Sequence, residues 1–419
     1  MDRRSFFLGA ATAAGRLMAQ TPAVRLGIIG CGWYGGVDAR AAWKAGGAEV
    51  VALCDADTKH LEETAALCEK EQGKRPGLLT KDYKELLNAP GLDGVIIATP
   101  PHWHALPFIA ACEKKVAVYM EKPLAYDLRE GRAMARAQAK AGNVVQVGFQ
   151  RRQSAAYQAV RQYVAGGAAG RIVQADVQIH YTAGPLDNTP QSPPLTLDWE
   201  LWLGPAPRMP YSPNVAHRAW RLEENVGNGH LVDWGIHLID ATRMMLGLGL
   251  PKTVSAAGGL YHYKGRITTP DTLTAHFEFE QLPVVWRHRL WGAVEMTPAY
   301  NNGIFLYGEN ETIFVTDNRW EVMPKGKGAE KRVMEIKPAA DAGTAHVAEW
   351  LEAVRGKKVG LVGVEDAWRS TTAVQLGMIA YKAGRAVQFD AASETIKDDA
   401  AARKLLMRPY RAPYRHPYA

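Results

Sequence analysis

Lys122 closes an apolar run, Val116-Ala117-Val118-Tyr119-Met120, inside the tripeptide Glu121-Lys122-Pro123. A lysine at the carboxyl end of a buried strand points to chemistry, because open parallel sheets bind ligands beyond those strand ends. A second reactive cluster lies in Gly227-Asn228-Gly229-His230-Leu231-Val232-Asp233-Trp234-Gly235-Ile236-His237-Leu238-Ile239-Asp240. If this stretch is helical from about Gly229, Asp233 and His237 share one face, with His230 one turn before and Asp240 one turn after. Acids beside imidazoles suit proton transfer near neutrality, where histidine titrates. The alternative is that His237 is a core histidine hydrogen-bonded to Asp240.

These groups need elements to position them. A short apolar strand (24–29) precedes Gly30-Cys31-Gly32-Trp33-Tyr34-Gly35, and a helix-compatible stretch (37–45) follows. The order strand, Gly-x-Gly-x-x-Gly, helix is a dinucleotide loop: Gly30 permits the turn, Gly32 lets the backbone approach a pyrophosphate, and Gly35 lets helix pack on strand. A second strand (49–54) ends in Asp55, where a carboxylate accepts from ribose hydroxyls and repels a 2′-phosphate, which favours NAD over NADP. A third (94–99) ends in Thr99-Pro100-Pro101-His102-Trp103-His104, whose prolines wall the cofactor crevice and whose histidines cap the next helix or touch substrate. No carboxylate or cysteine stands at ligand spacing from this His-x-His, so no metal is expected there. Another strand (144–149) leads to Gln150-Arg151-Arg152, a basic pair that either reaches substrate or forms a solvated turn.

The segments GIIGCGWYG, CDAD, ATPPHWHA, EKPLA, VGFQRR and DWGIHLID, in this order, resemble the Gfo/Idh/MocA oxidoreductases, named for glucose-fructose oxidoreductase and inositol dehydrogenase, over about residues 24–390. The resemblance implies an α/β fold: an N-terminal Rossmann domain (24–150) and a C-terminal α/β domain (151–390) with an open, mostly antiparallel sheet that often mediates dimers or tetramers. It assigns Asp233 and His237 to the family's Asp-x-x-x-His pair, facing the nicotinamide together with Lys122. Lys122 would polarise the substrate oxygen, His237 take its proton, and Asp233 orient the pair. The expected cofactor contacts are Gly30, Gly32, Trp33, Tyr34, Gly35, Asp55, Thr99, Pro100, His104, Glu121 and Lys122. The expected substrate contacts are Lys122, Arg151, Trp220, His230, Asp233 and His237. A metal held by His230, Asp233 and His237 is conceivable from spacing but is not usual in the family.

Residues 181–214 carry repeated prolines around Asp198-Trp199-Glu200-Leu201-Trp202-Leu203-Gly204-Pro205. Such a long irregular stretch is usually functional or disordered, and we expect a loop wrapping the active-site mouth. Trp199, Trp202, Tyr211, Trp220 and Trp234 would stack on a sugar ring or anchor the loop. Beyond Pro251, alternating strands (253–263, 272–280, 284–290, 303–307, 312–316, 319–322 and 332–336) suggest an antiparallel meander, and 346–355 and 365–382 amphipathic helices. The basic, proline-rich tail (391–419) would dock on a neighbouring subunit or remain loose.

Residues 1–20, with Arg3-Arg4-Ser5-Phe6-Phe7-Leu8, resemble a twin-arginine export signal, too short for a membrane span; the alternative is a disordered extension on a cytoplasmic enzyme. The 4 cysteines read as small buried residues. A net charge of +7, diffuse along 419 residues of which 47% are hydrophobic, does not form a nucleic-acid-binding stripe. An exported member lacks free NAD, so it would keep its cofactor bound and regenerate it. That condition suits oxidation of one sugar coupled to reduction of another carbonyl compound. It also suits transient oxidation of a glycoside followed by elimination. Asp-Trp-Gly-Ile-His replaces the Tyr-Pro-Thr-His-Gly of the family's NAD-dependent glycosidases, which favours the oxidoreductase. A noncatalytic sugar or nucleotide sensor is a third reading, against which intact Lys122, Asp233 and His237 argue.

Overall fold

The computed structural model describes residues 22–185, 187–217, 219–292, 298–337 and 341–418. The export-signal expectation falls on residues outside these. The amino-terminal part alternates strand and helix: β1 (Val24–Ile29), α1 (Trp33–Ala45), β2 (Ala48–Cys54), α2 (Thr58–Gln72), β3 (Leu78–Thr80), α3 (Tyr83–Leu86), β4 (Gly94–Ile97), α4 (Ala105–Glu113), β5 (Ala117–Met120), α5 (Leu128–Ala141) and β6 (Val145–Val147). The strands pair in parallel in the order β3-β2-β1-β4-β5-β6, so the winding reverses between β1 and β4 and opens a crevice at their carboxyl ends. Helices cover both faces, which is why β4 and β5 are buried throughout and read as unbroken apolar runs. Local signals fix the helix ends. Asp57 caps α2 by accepting from the Lys59 N–H, Asp127 caps α5 by accepting from the Glu130 N–H, and both helices end on left-handed glycines, Gly73 and Gly142.

The remainder contributes α6 (Ala155–Ala165), β7 (Ile172–His180), α7 (Trp199–Leu203), α8 (Ile236–Leu246), β8 (Thr253–Gly259), β9 (Thr272–Glu278), β10 (Pro283–Arg289), β11 (Asn302–Gly308), β12 (Glu311–Val315), β13 (Arg319–Pro324), β14 (Arg332–Glu335), α9 (Ala342–Val354), α10 (Val364–Ala383), β15 (Val387–Asp390), β16 (Thr395–Ile396) and α11 (Ala400–Lys404). The sheet runs β14-β13-β12-β11-β7-β10-β9-β8-β15-β16. It is antiparallel except where β7 lies parallel to β10. The expected meander is therefore interrupted at its centre by β7, whose Ala175, Val177 and Ile179 alternate with Gln174, Asp176 and Gln178 in the period of a strand.

Two apolar clusters unite the halves. One joins Phe108, Met120 and Leu124 of the first part to Phe277 and Trp286 of the second through α10, which is buried along almost its whole length. In the other, Trp350 of α9 packs with Leu26, Ile28 and Tyr119 on the first sheet. Trp286, Trp350 and Trp368 are fully buried, and burying a large apolar side chain contributes about 1.5–3 kcal/mol. No helix among the described residues is long and apolar enough to cross a membrane, and all four cysteines are free and buried.

The tail corrects its expectation, because it docks on its own chain. Arg408 donates to Glu130 Oε1 at 2.9 Å and to the His102 carbonyl at 2.8 Å, Tyr410 donates to the same Glu130 oxygen at 2.9 Å, and His416 Nε2 meets Asp127 Oδ2 at 3.1 Å. Glu130 is fully buried, and a buried carboxylate persists only when it is paired in this way.

Candidate active site

Lys122 follows β5, and its Nζ donates to Asp233 Oδ1 and to the Asp233 carbonyl, each at 2.9 Å. Arg221 Nε stands 3.1 Å from the other oxygen, Asp233 Oδ2. Burial opposes the Asp233 charge, but the Lys122 ammonium and Arg221 guanidinium outweigh it and hold the carboxyl below its usual range. The carboxylate is thus fixed on both oxygens. Residues Leu231–Gly235 form a π-turn ahead of α8, a wider turn frequent at functional sites. It carries Asp233, while His237 lies in the first turn of α8.

A cavity of about 550 Å³ is lined by Trp33, Tyr34, Lys122, Arg221, Asp233, Trp234 and His237. The His237 ring rests against Trp234, centroids 6.2 Å apart, and its Nδ1 is buried without a hydrogen-bond partner. Burial first, then the Lys122 and Arg151 charges, push its pKa well below the ordinary histidine value, so the ring is neutral. Asp240 does not serve His237; it binds Arg152 at 2.7 Å and Ser370 at 2.6 Å.

Other expected substrate residues stand elsewhere. His230 is buried against Tyr181, Trp286 and His288 and does not line the cavity, because its ring turns into the core beneath the sheet. Arg151 pairs with Asp317 at 3.2 Å and lies over Trp234, so it reaches the cavity through its field on His237 and not as a wall. Trp220 lines the neighbouring cofactor groove. Of the five candidate stacking aromatics only Trp234 faces this cavity. The proline-rich segment turns away from the mouth and packs on the nucleotide domain, where Trp199 stacks on Trp202 with centroids 4.8 Å apart.

The adjoining groove, about 680 Å³, shares Trp33, Tyr34 and Arg221 with the first cavity and runs past Gly30, Gly32, Asp55, Thr99 and Pro100. Gly30 has φ +93°, and a Cβ there would come within 2.7 Å of the Ala98 and Thr99 backbone. A Cβ on Gly35 would strike the Gly30 carbonyl. Gly32 precedes α1 as its N-cap, the first turn of the helix carries no acid, and a Cβ on Gly32 would meet only the His60 ring at 3.6 Å, so the helix dipole faces a phosphate position. Asp55 accepts from the Cys31 N–H at 2.7 Å and the Asp57 N–H at 2.8 Å, which holds the carboxylate at the groove wall. These residues fit NAD.

His104 and Glu121 lie beneath the groove instead of lining it. His104 bridges the Pro123 and Thr99 carbonyls, 2.7 Å from each, and burial pulls its pKa down to about 4. It braces the strand end carrying Lys122. Glu121 accepts from Gln150 at 2.7 Å, and burial raises its pKa to about 7. Buried Asp38 has one carboxyl oxygen without a partner, and burial followed by the Glu121 charge raises it as well. Two such acids cannot both ionise cheaply.

Potential metal ligands converge in two places among the described residues, Asp57, His60 and His217, and Asp127, Glu130 and His416, with ligand atoms within 4.8 Å of one another. Arg408 already neutralises the second group. Arg221, His60, His217 and the groove-lining tail were missed by sequence reasoning, since nothing in their spacing ties them to either motif.

A model of the NAD-binding Rossmann fold of the GFO/IDH/MocA oxidoreductase family matches residues 24–149, and two models of the family's C-terminal domain match 157–314 and 289–416. A glycosyl hydrolase family 109 protein of Stenotrophomonas maltophilia is 30% identical over 300 residues, 65% of this chain and 63% of its own length. Inositol 2-dehydrogenase 4 of Saccharopolyspora erythraea is 33% identical over 150 residues, 35% of this chain and 43% of its own. The match thus spans less than two thirds of either relative. Aldose-aldose oxidoreductase from Caulobacter crescentus, complexed with glycerol, superposes with a TM-score of 0.68 at 18% identity, covering 88% of this chain and 100% of that one. Levoglucosan dehydrogenase with NADH and L-sorbose gives 0.67 at 19% identity, covering 88% and 99%. The Rossmann sheet, its glycine loop and the carboxyl-terminal sheet agree with these matches, and the chain belongs to the Gfo/Idh/MocA family of NAD-binding oxidoreductases.

Proposed function

We propose that the protein transfers hydride between NAD and a secondary hydroxyl of a sugar, polyol or glycoside, with its cofactor tightly bound. The observation carrying this reading is the Lys122–Asp233 ion pair beside neutral His237, all facing one cavity next to the NAD groove. NAD supplies the hydride acceptor when bound. The chain's own residues handle the proton. Lys122 donates a hydrogen bond to the hydroxyl oxygen and stabilises negative charge that develops there, as preorganised donors do in a water-poor site. His237 takes the hydroxyl proton as the C–H bond breaks. Asp233 keeps Lys122 aimed and is itself held by Arg221. The relatives named for sugar and inositol dehydrogenation support this substrate class.

A second reading, NAD-dependent glycoside cleavage through a transient keto sugar, is favoured by the family 109 relative. Export through a twin-arginine signal and assembly into a homodimer or homotetramer remain part of the proposal. The test is to denature purified protein, identify released nucleotide by mass spectrometry, and then supply paired sugars and aryl glycosides. Stoichiometric NAD or NADH with sugar-dependent redox change supports the first reading, and aglycone release without net redox change supports the second. No reaction with any polyol or glycoside overturns both.

A further inference from the structure

The adenosine half of the groove is only partly Rossmann domain. Its lining includes Trp202, His217, Tyr414 and Arg415, drawn from three later segments of the chain. Trp202, His217 and Tyr414 are built in by more than proximity, and Arg415 follows Tyr414 in the tail. The Trp202 carbonyl accepts from Trp103 Nε1 at 2.9 Å and meets His102 Nε2 at 2.9 Å. The segment before it is stitched to the loop after β2: the Thr58 N–H donates to the Thr196 carbonyl at 3.0 Å, and the Asp198 N–H to the Ala56 carbonyl at 3.0 Å. That loop contains Asp55, the expected ribose partner.

His217 meets Asp57 Oδ2 at 3.0 Å, and its ring centroid lies 4.2 Å from that of His60, which stands 3.8 Å from Asp55. It does so with φ +59°, a left-handed conformation that a non-glycine residue keeps only where its surroundings enforce it. Tyr414 sets its ring edge-on to Trp103 at 5.3 Å. The tail is held there by Arg411, whose N–H donates to the Pro205 carbonyl at 3.0 Å and whose Nε donates to the Gly204 carbonyl at 3.0 Å. The tail therefore pins the proline-rich segment, and that segment pins the ribose loop.

We infer that His217, Tyr414 and Arg415 are cofactor-binding residues that complete the adenosine half of the site and make the dinucleotide kinetically resident. Tyr414 offers a flat apolar wall for a purine beside Trp103. Arg415 offers a cation to the phosphates or the ring, and His217 a neutral hydrogen-bonding edge beside Asp55. Leaving the groove then requires moving the tail as well as breaking Rossmann contacts. This rests on the NAD reading of the groove and not on any particular substrate.

The full-length protein is loaded with NADH, desalted and mixed with excess NAD, and NADH release is followed by its fluorescence. Wild type is expected to retain NADH through desalting. His217→Ala and the double variant Tyr414→Ala/Arg415→Ala are expected to release it at least about tenfold faster, equivalent to about 1.4 kcal/mol, with apo-protein unfolding temperatures close to wild type. The buried Arg408–Glu130 pair is left intact so that the tail stays attached. Release at the wild-type rate from both variants overturns the inference, as does loss of NADH from wild type during desalting. A protein that retains NADH in this pattern yet oxidises no polyol would sink the proposed reaction and leave the clasp standing.

Discussion

At the reacting end of the cleft, one buried carboxylate is held by two cations, Lys122 on one oxygen and Arg221 on the other. At the adenosine end the wall spreads its contacts over ring edges, the Asp55 carboxylate and the Arg415 cation, with Trp202 and Tyr414 gathered around Trp103. The difference follows from what each end must do. Charge that develops during a reaction is stabilised by fixed charges that need not reorganise. Residence of a cofactor is set by the contacts that must break together, which act on the dissociation rate. Substitutions at the two ends should therefore separate into turnover effects and retention effects.

The largest expected effect breaks the comparison if it fails. Lys122→Met should lower turnover about 10³-fold, the scale for removing a preorganised donor, while NADH binding followed by fluorescence persists. Unchanged turnover would remove Lys122 from the chemistry. His237→Ala should cost about 10²-fold or more, the lower range for a general base, in steady-state kinetics with whichever sugar turns over.

Arg221→Met sharpens the comparison, because it removes one of the two cations that hold Asp233. We expect turnover to fall about tenfold, equivalent to about 1.4 kcal/mol. The Asp233 carboxyl should move up from its lowered position, so the acid limb of the pH–rate profile shifts to higher pH. A loss with no shift of that limb would mean that Arg221 acts only by packing.

The smallest effect concerns the support under the cleft. Folded Glu121 titrates near 7 against about 4.3 for an unfolded glutamate, so the folded state binds the extra proton. Its stabilising contribution is complete below the unfolded value and is lost as pH rises through about 7. Urea unfolding of Glu121→Gln across this window should show a shallower fall in stability with pH than wild type, with Asp38 supplying what remains.

Much of the reacting end is legible in the residues alone. The glycine loop, Asp55, Lys122, Asp233 and His237 announce themselves because each depends on chain-local geometry, a turn, a strand end or one helical turn. The errors share one cause. His104, His230 and Trp220 have chemically suitable side chains, but which way a side chain faces depends on packing from distant segments. Trp286 and His288 lie beside His230, the Pro123 carbonyl draws in one side of His104, and the groove, not the substrate cavity, takes Trp220. Strand β7 was legible in the alternation of Ala175, Val177 and Ile179 with Gln174, Asp176 and Gln178, but its place at the centre of a sheet whose other strands come later in the chain was not.

By itself the sequence determined the Rossmann order, the NAD loop and the residues Lys122, Asp233 and His237 on which the proposed proton transfer rests, because short periodic patterns and turn chemistry are read within a few residues. Only the tertiary structure decided that Arg221 grips Asp233, that Glu121 and Asp38 share a buried site where both resist ionisation, and that residues 413–415 fold back over the adenosine end. Those are contacts between segments far apart in the chain, selected by burial and electrostatic pairing in the folded molecule, and no local pattern encodes which distant partner will arrive.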